Sequence, residues 1–219
     1  MLPQRQTPPQ THLNVGVRTH VNQSANRTLE SELVAIAGAT PWLMQALTEA
    51  QKLNLNNWCI GAGAVRSVVW DKLHGFTQPT PISDIDLVYF DPQQADPAAD
   101  QALAAKLPEV LSAATWEVVN QASVHTWYPQ TSGKPVTPFT SLEEGIGSWP
   151  EYATAVGVTL NKDGSIGVVA PHGLQDLFGM VVRHNPTRAT AEMYRARMKQ
   201  KAFSQKWPKV TVCGEKSEF

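Results

Sequence analysis

The sequence predicts an α/β (α+β) domain in which a mixed β-sheet is flanked by helices. Three observations carry that prediction. Helical and β-rich segments are interleaved along the 219 residues rather than segregated. One segment, "NNWCIGAGAVRSVVWDKLHG", has the strand, glycine turn and helix pattern. Another, "TAVGVTLNKDGSIGVVAP", places two β-rich runs around Lys162, Asp163 and Gly164, a hairpin signal.

The elements follow in order. Residues 1–28 are polar and proline-rich, without an apolar stretch, and read as a disordered or loosely attached extension. Residues 29–212 read as one domain, and 213–219 as a tail. The first folded segment holds two helices broken between Gly38 and Pro41, the second with an apolar stripe at Leu43, Leu47 and Ala50. Trp58–Ile60 is a strand, and a helix runs from about Ala64 to Leu73 with Gly75 as its stop. "ISDIDLVYFD" is a strand, and "PAADQALAAKLPEVL" a helix interrupted at Pro108. "TWEVVNQASVHTWY" reads as a further strand. Ser141 and Glu144 have capping-box spacing ahead of a short helix. "LQDLFGMVVRHNP" reads as a helix ending before Pro186, and "ATAEMYRARMKQKAFSQKW" as a basic C-terminal helix.

Composition narrows the functional classes. A net charge of −1 gives no general attraction for nucleic acid, so no broad nucleic-acid surface is expected. No stretch approaches the roughly 20 apolar residues of a membrane span. Cys59 and Cys213 match no metal-ligand spacing, and Cys59 reads as a buried thiol. With no signal-peptide pattern, a cytoplasmic location is expected.

The chemistry concentrates at the opening of the "DIDL" strand. Asp84 and Asp86 fall on one face, about 6.6–6.8 Å apart along the strand, while Ile85, Leu87 and Tyr89 point to the other. Paired carboxylates repel, and a divalent cation between them removes the conflict. Mg²⁺ (or Mn²⁺) favours one or two carboxylates together with phosphate oxygens. Upstream, "GAGAVR" follows a strand and opens a helix. Gly61, Gly63 and Ala64 would let the backbone approach a phosphate at the helix N-terminus. Turn and acids together have the parts of a nucleoside-triphosphate site. A dinucleotide fingerprint fits less well. Arg66 stands where that motif needs Gly or Ala, and acids that open their strand require an antiparallel neighbour. The Gly-Lys-Ser/Thr of a P-loop is missing.

These residues resemble those of the DNA polymerase beta-like nucleotidyltransferase superfamily and the head domain of tRNA nucleotidyltransferases. A closer resemblance is to a bacterial nucleotidyltransferase-like family, formerly described as a domain of unknown function. It rests on "GAGAVR", "DIDLVYFD", "WEVVNQA", "PEYATAVGV", "APHGLQDLF", "VVRHNP" and "KWPKV", blocks that span Trp58 to Val212. The resemblance implies a nucleotidyltransferase fold, an NTP substrate, and transfer of a nucleoside monophosphate to an acceptor that is a small molecule, a protein or a tRNA end. It also implies a third acid from a neighbouring strand. Strand parity puts Glu117, Val119 and Gln121 on one face and Trp116, Val118 and Asn120 on the other. Glu117 is the candidate for that acid, as catalytic residue and metal ligand beside Asp84 and Asp86; were the Asn120 face to meet the metals instead, an uncharged residue would stand in the third position.

Other residues have two readings each. Arg66 can meet the triphosphate or pair with Asp84 or Asp86, and Ser67 can add a hydroxyl contact. Asn120 and Gln121 can read a base or sit in a structural network. His125 and Trp127 can line a pocket or fill the core, and Asp91 reads as a turn residue. The cations of the C-terminal helix, Arg188, Arg195, Arg197, Lys199, Lys201 and Lys206, form a solvated face or reach an anionic ligand. An alternative function on the same fold is a non-catalytic nucleotide or small-ligand binding module.

Overall fold

The computed structural model describes residues 15–94, 96–111, 114–132 and 136–214. Helices α1 (Val15–Gly38) and α2 (Pro41–Gln51) are separated where Pro41 occupies the first turn of the second helix. Residues 15–28, read from sequence as loose, are therefore helical; residues 1–14 lie outside the described part. In α2, Leu43, Ala46, Leu47 and Ala50 are buried, the three-and-four spacing of a helix with one apolar face.

Five strands form the main sheet: β1 (Trp58–Gly61), β2 (Asp84–Tyr89), β3 (Thr115–Asn120), β4 (Gly157–Leu160) and β5 (Ile166–Val169). Their order is β3-β2-β1-β4-β5. β2 and β3 run parallel and the other pairs antiparallel, so the sheet is mixed. The antiparallel pairing of β1 with β2 sets Gly61 opposite Asp86, as the sequence required. The β4–β5 hairpin closes on Gly164 at φ 83°, with Asp163 accepting from Ser165 N.

Helix α3 (Ala62–His74) follows β1 directly and ends at Gly75 in the left-handed conformation. Together with α1 and α2 it covers one sheet face, where Ile60, Ile85, Leu87, Tyr89 and Val158 join Leu33, Leu47, Val65 and Trp70 in the main core. The opposite face holds a smaller cluster of Cys59, Val88, Leu142, Ile146 and Ala155. Burial pushes the Cys59 thiol pKa up, consistent with an inert core residue. Helix α4 (Pro97–Ala104) links β2 to β3.

Three segments depart from the sequence reading. β3 stops at Asn120, because the Asn120 side chain accepts from Ala122 N and starts a 3-10 turn at 121–123. Helix α5 (Val124–Ser132) follows, so His125 and Trp127 are helical rather than in a strand. The capping box at Ser141 does start α6 (Leu142–Gly147): Ser141 Oγ accepts from Glu144 N, and the Glu144 carboxylate accepts from Thr140 N. Helix α7 is only Gln175–Phe178. Met180 at φ 53° turns the chain, and β6 (Val181–Val182) pairs with β7 (Thr211–Val212) in a second, two-stranded sheet. The basic helix is likewise divided at Ala202, φ 48°, into α8 (Ala191–Lys201) and α9 (Phe203–Lys206). No helix among the described residues is long and apolar enough to cross a membrane.

Candidate functional site

The turn between β1 and α3 is built for close approach. A side chain at Gly61 would bring a Cβ within 2.8 Å of the Trp149 ring and 3.0 Å of Val156 O. Ala62, at φ 49°, donates its amide to Val156 O and so ties the helix start to the segment before β4. At Gly63, by contrast, the nearest atom to an added Cβ is Arg66 Nη2 at 3.7 Å. Packing does not demand glycine there, and its bare backbone faces a cleft of about 200 Å³. The Ala64 side chain is buried in the main core and away from that cleft.

Arg66 and Ser67 line the same cleft. The Arg66 guanidinium sits among three aromatic rings, 4.8 Å from Phe203, 5.2 Å from Trp207 and 5.4 Å from Trp70. Burial lowers its pKa to about 10, against the opposing pull of Glu151, Asp86 and Asp84. Its Nε and the Ser67 Oγ are buried without a hydrogen-bond partner. Asp71 holds the cage in place, accepting from Trp207 Nε1 and from Thr80. Arg66 forms no ion pair with Asp84 or Asp86, so its buried donor is uncommitted.

Asp84 and Asp86 open β2 on the cleft side, and Ile85 and Leu87 are fully buried on the other. The parallel register sets Glu117 beside Asp86. Each of the three carboxylates offers an oxygen, and these oxygens lie within 4.8 Å of one another. Asp86 is raised from the usual 3.8 to about 6, first by burial and then by the charges of Asp84 and Glu117; Lys201 and Arg197 pull the other way. Lys201 and Lys206 complete the cleft wall from α8 and α9.

A second cavity of about 240 Å³ adjoins the first. Ala62, Asp86 and Arg197 line both. Val88 and Val119 line it from the sheet, with Tyr128, Phe139 and Trp149 on its walls. Arg197 is fixed between the cavities by an ion pair to the fully buried Glu151, 2.5 Å from Nε to the carboxylate; Thr154 also donates to Glu151.

The structure thus gathers Asp84, Asp86, Glu117, Gly63, Arg66 and Ser67 around one cleft, with Gly61 underpinning the turn. It does not bring Asn120 there. Asn120 accepts from Asp91 N and Ala122 N and donates to Asp91 O and Gln94 O, so its amide is fully used inside the fold. Gln121, its neighbour, lines the aromatic cavity instead. Asp91 serves a turn, accepting from Gln93 N. The residues that sequence reasoning missed are Ala62, Tyr128, Phe139, Trp149 and Glu151. Arg188 was placed on the basic helix but precedes it, lying 3.7 Å over the Phe139 ring. Only the "GAGA" turn carried a local sign of Ala62; the others come from distant segments.

The sequence matches the nucleotidyltransferase family over residues 48–212. Among solved structures, one described as revealing a CCA-adding enzyme head domain is 29% identical, with a TM-score of 0.67; the match covers 83% of this chain and 94% of that one. A CCA-adding enzyme in complex with CTP is 12% identical, with a TM-score of 0.49 and coverage of 84% and 43%. A tRNA-processing enzyme complex is 16% identical, with a TM-score of 0.45 and coverage of 77% and 43%. The chain spans less than half of these last two proteins. No curated protein matches the sequence.

Proposed function

The chain belongs to the nucleotidyltransferase family, and we propose that it transfers a nucleoside monophosphate from an NTP to an acceptor hydroxyl, releasing pyrophosphate. The observation that carries this reading is the juxtaposition of three registered carboxylates with a glycine-opened helix start and two unpartnered buried donors. The site suits a divalent cation. The donor set is all oxygen, and positive charge between the acids offsets both the burial and the mutual repulsion that raise Asp86. Asp84, Asp86 and Glu117 would hold Mg²⁺ or Mn²⁺, which when bound neutralises charge at the reacting phosphate and on the leaving pyrophosphate.

The chain's own groups do the rest. Backbone amides at the start of α3 orient the phosphates. Arg66 Nε and Ser67 Oγ donate to phosphate oxygens, and Lys201 and Lys206 offset the charge of the leaving group. Glu117 accepts the proton of the attacking hydroxyl as the new P–O bond forms and the bond to pyrophosphate breaks. With Glu117 in register beside Asp86, the non-catalytic binding module loses the feature that would have favoured it, a missing third acid.

The test is labelled NTP with Mg²⁺ and candidate small-molecule, protein and tRNA acceptors. Transfer lost in the Asp84→Asn, Asp86→Asn double variant supports the site. Transfer that survives in that variant rules it out.

A further inference from the structure

We propose that the aromatic cavity is the nucleobase pocket of this site, and that Arg188 with Gln121 makes it select a base bearing an exocyclic carbonyl over adenine. The inference rests on the NTP reading above and adds the class of base. Ala62, Asp86 and Arg197 line both cavities. A nucleotide whose phosphates lie against the start of α3 therefore crosses Ala62 and puts its base in the aromatic cavity. A volume of about 240 Å³ falls just below the roughly 300–1,000 Å³ of drug-sized sites and suits one planar ring system. Tyr128, Phe139 and Trp149 supply faces for it.

The polar groups around this cavity divide into committed and uncommitted ones. Ser148 Oγ donates to Gly145 O, Thr154 Oγ1 to Glu151, and Arg197 Nε to Glu151. Gln121 is 4% exposed, and its side-chain amide has no hydrogen-bond partner among the described residues. Arg188 donates from Nη2 to Thr137 O, while its Nη1 is buried without a partner. A buried donor such as Arg188 Nη1 carries an energetic penalty unless a ligand meets it. An amide can turn to donate or accept, so Gln121 tolerates either kind of base edge. A guanidinium only donates. Opposite Arg188, the amino group of adenine sets donor against donor, whereas the carbonyl of guanine, hypoxanthine, uracil or cytosine accepts.

ITP and ATP differ at the 6-position, carbonyl against amino group, and in the N1 proton that goes with it, and they make the test. Binding to the full chain with Mg²⁺ is measured by calorimetry, with inorganic tripolyphosphate as a ligand that has no base. ITP binding at least about tenfold tighter than ATP supports the proposal, because a site built around a donor disfavours a ligand that sets an amino group against it. Arg188→Met should bring the two nucleotides to equal affinity, and Arg188→Lys should keep part of the preference. Equal affinities in the parent protein, or a preference untouched in Arg188→Met, overturn the proposal. If tripolyphosphate binds as tightly as ITP, the base lies elsewhere and the transferase reading stands. If neither tripolyphosphate nor nucleotide binds with Mg²⁺, both readings fall.

Discussion

The polar cleft and the aromatic cavity meet at Asp86, yet they are built in different ways. The cleft owes its shape to backbone register. Gly61 opposes Asp86 across an antiparallel pair, and Glu117 lies beside Asp86 across a parallel one. Once the sheet forms, the acids have no other place to be. The cavity is assembled from side chains on α5, the loop at Phe139, the segment around Trp149, and Arg188 ahead of α8. Its shape follows from how those segments pack. The comparison teaches that the acidic cluster is fixed by the sheet, while the aromatic cavity depends on elements that can vary without disturbing it.

The sharpest way to break this contrast is at the acids. Asp84→Asn with Asp86→Asn should lower NTP-dependent pyrophosphate release by at least about 1,000-fold, read in a coupled phosphate assay. The fold should remain intact.

Asn120 and Gln121 offer the next comparison, since adjacent amides belong to different regions. Asn120→Ala removes four hydrogen bonds inside the fold and should cost about 2–4 kcal/mol in urea unfolding. Gln121→Ala removes none among the described residues. It should leave stability within roughly 1 kcal/mol while weakening nucleotide affinity.

The two glycines separate in the same manner. Gly61→Ala drives a Cβ against Trp149 and Val156 O and should destabilise by about 1–3 kcal/mol. Gly63→Ala should fold normally and lose affinity for tripolyphosphate, because its Cβ would occupy the cleft rather than the core.

The smallest effect expected is a gain. Folded Asp86 keeps its proton to about pH 6, whereas an unfolded chain releases it near 3.8. Between those values the folded state binds more protons, so stability falls as pH rises. Removing the charge should therefore help the metal-free protein above pH 6. Asp86→Asn should raise metal-free stability by about 1–2 kcal/mol at pH 7 and by little at pH 3.5. Mg²⁺ should narrow the difference by stabilising only the parent.

These contrasts also show what could be read in the sequence. The turn, the acid pair and the parity of Glu117 were legible because period-two alternation and short spacings encode them. Strand parity alone could not decide between the Glu117 and Asn120 faces; the register with β2 does. The end of β3 was not legible, because β-rich residues continue to Trp127. The local bonds of Asn120 that turn the chain are visible only in three dimensions. The split of the basic helix at Ala202 carries no glycine or proline signal. Arg188, Phe139, Trp149 and Glu151 come together only through tertiary packing, which no spacing along the chain records.

The most direct measurement is the melting temperature of the full chain with an NTP, in Mg²⁺ and in EDTA, for the parent and the Asp84→Asn, Asp86→Asn variant. Metal held by the acids and phosphates together predicts that the NTP raises the parent's melting temperature only when Mg²⁺ is present, and never that of the variant. Equal stabilisation in EDTA, or a metal-dependent rise that persists in the variant, would contradict the account.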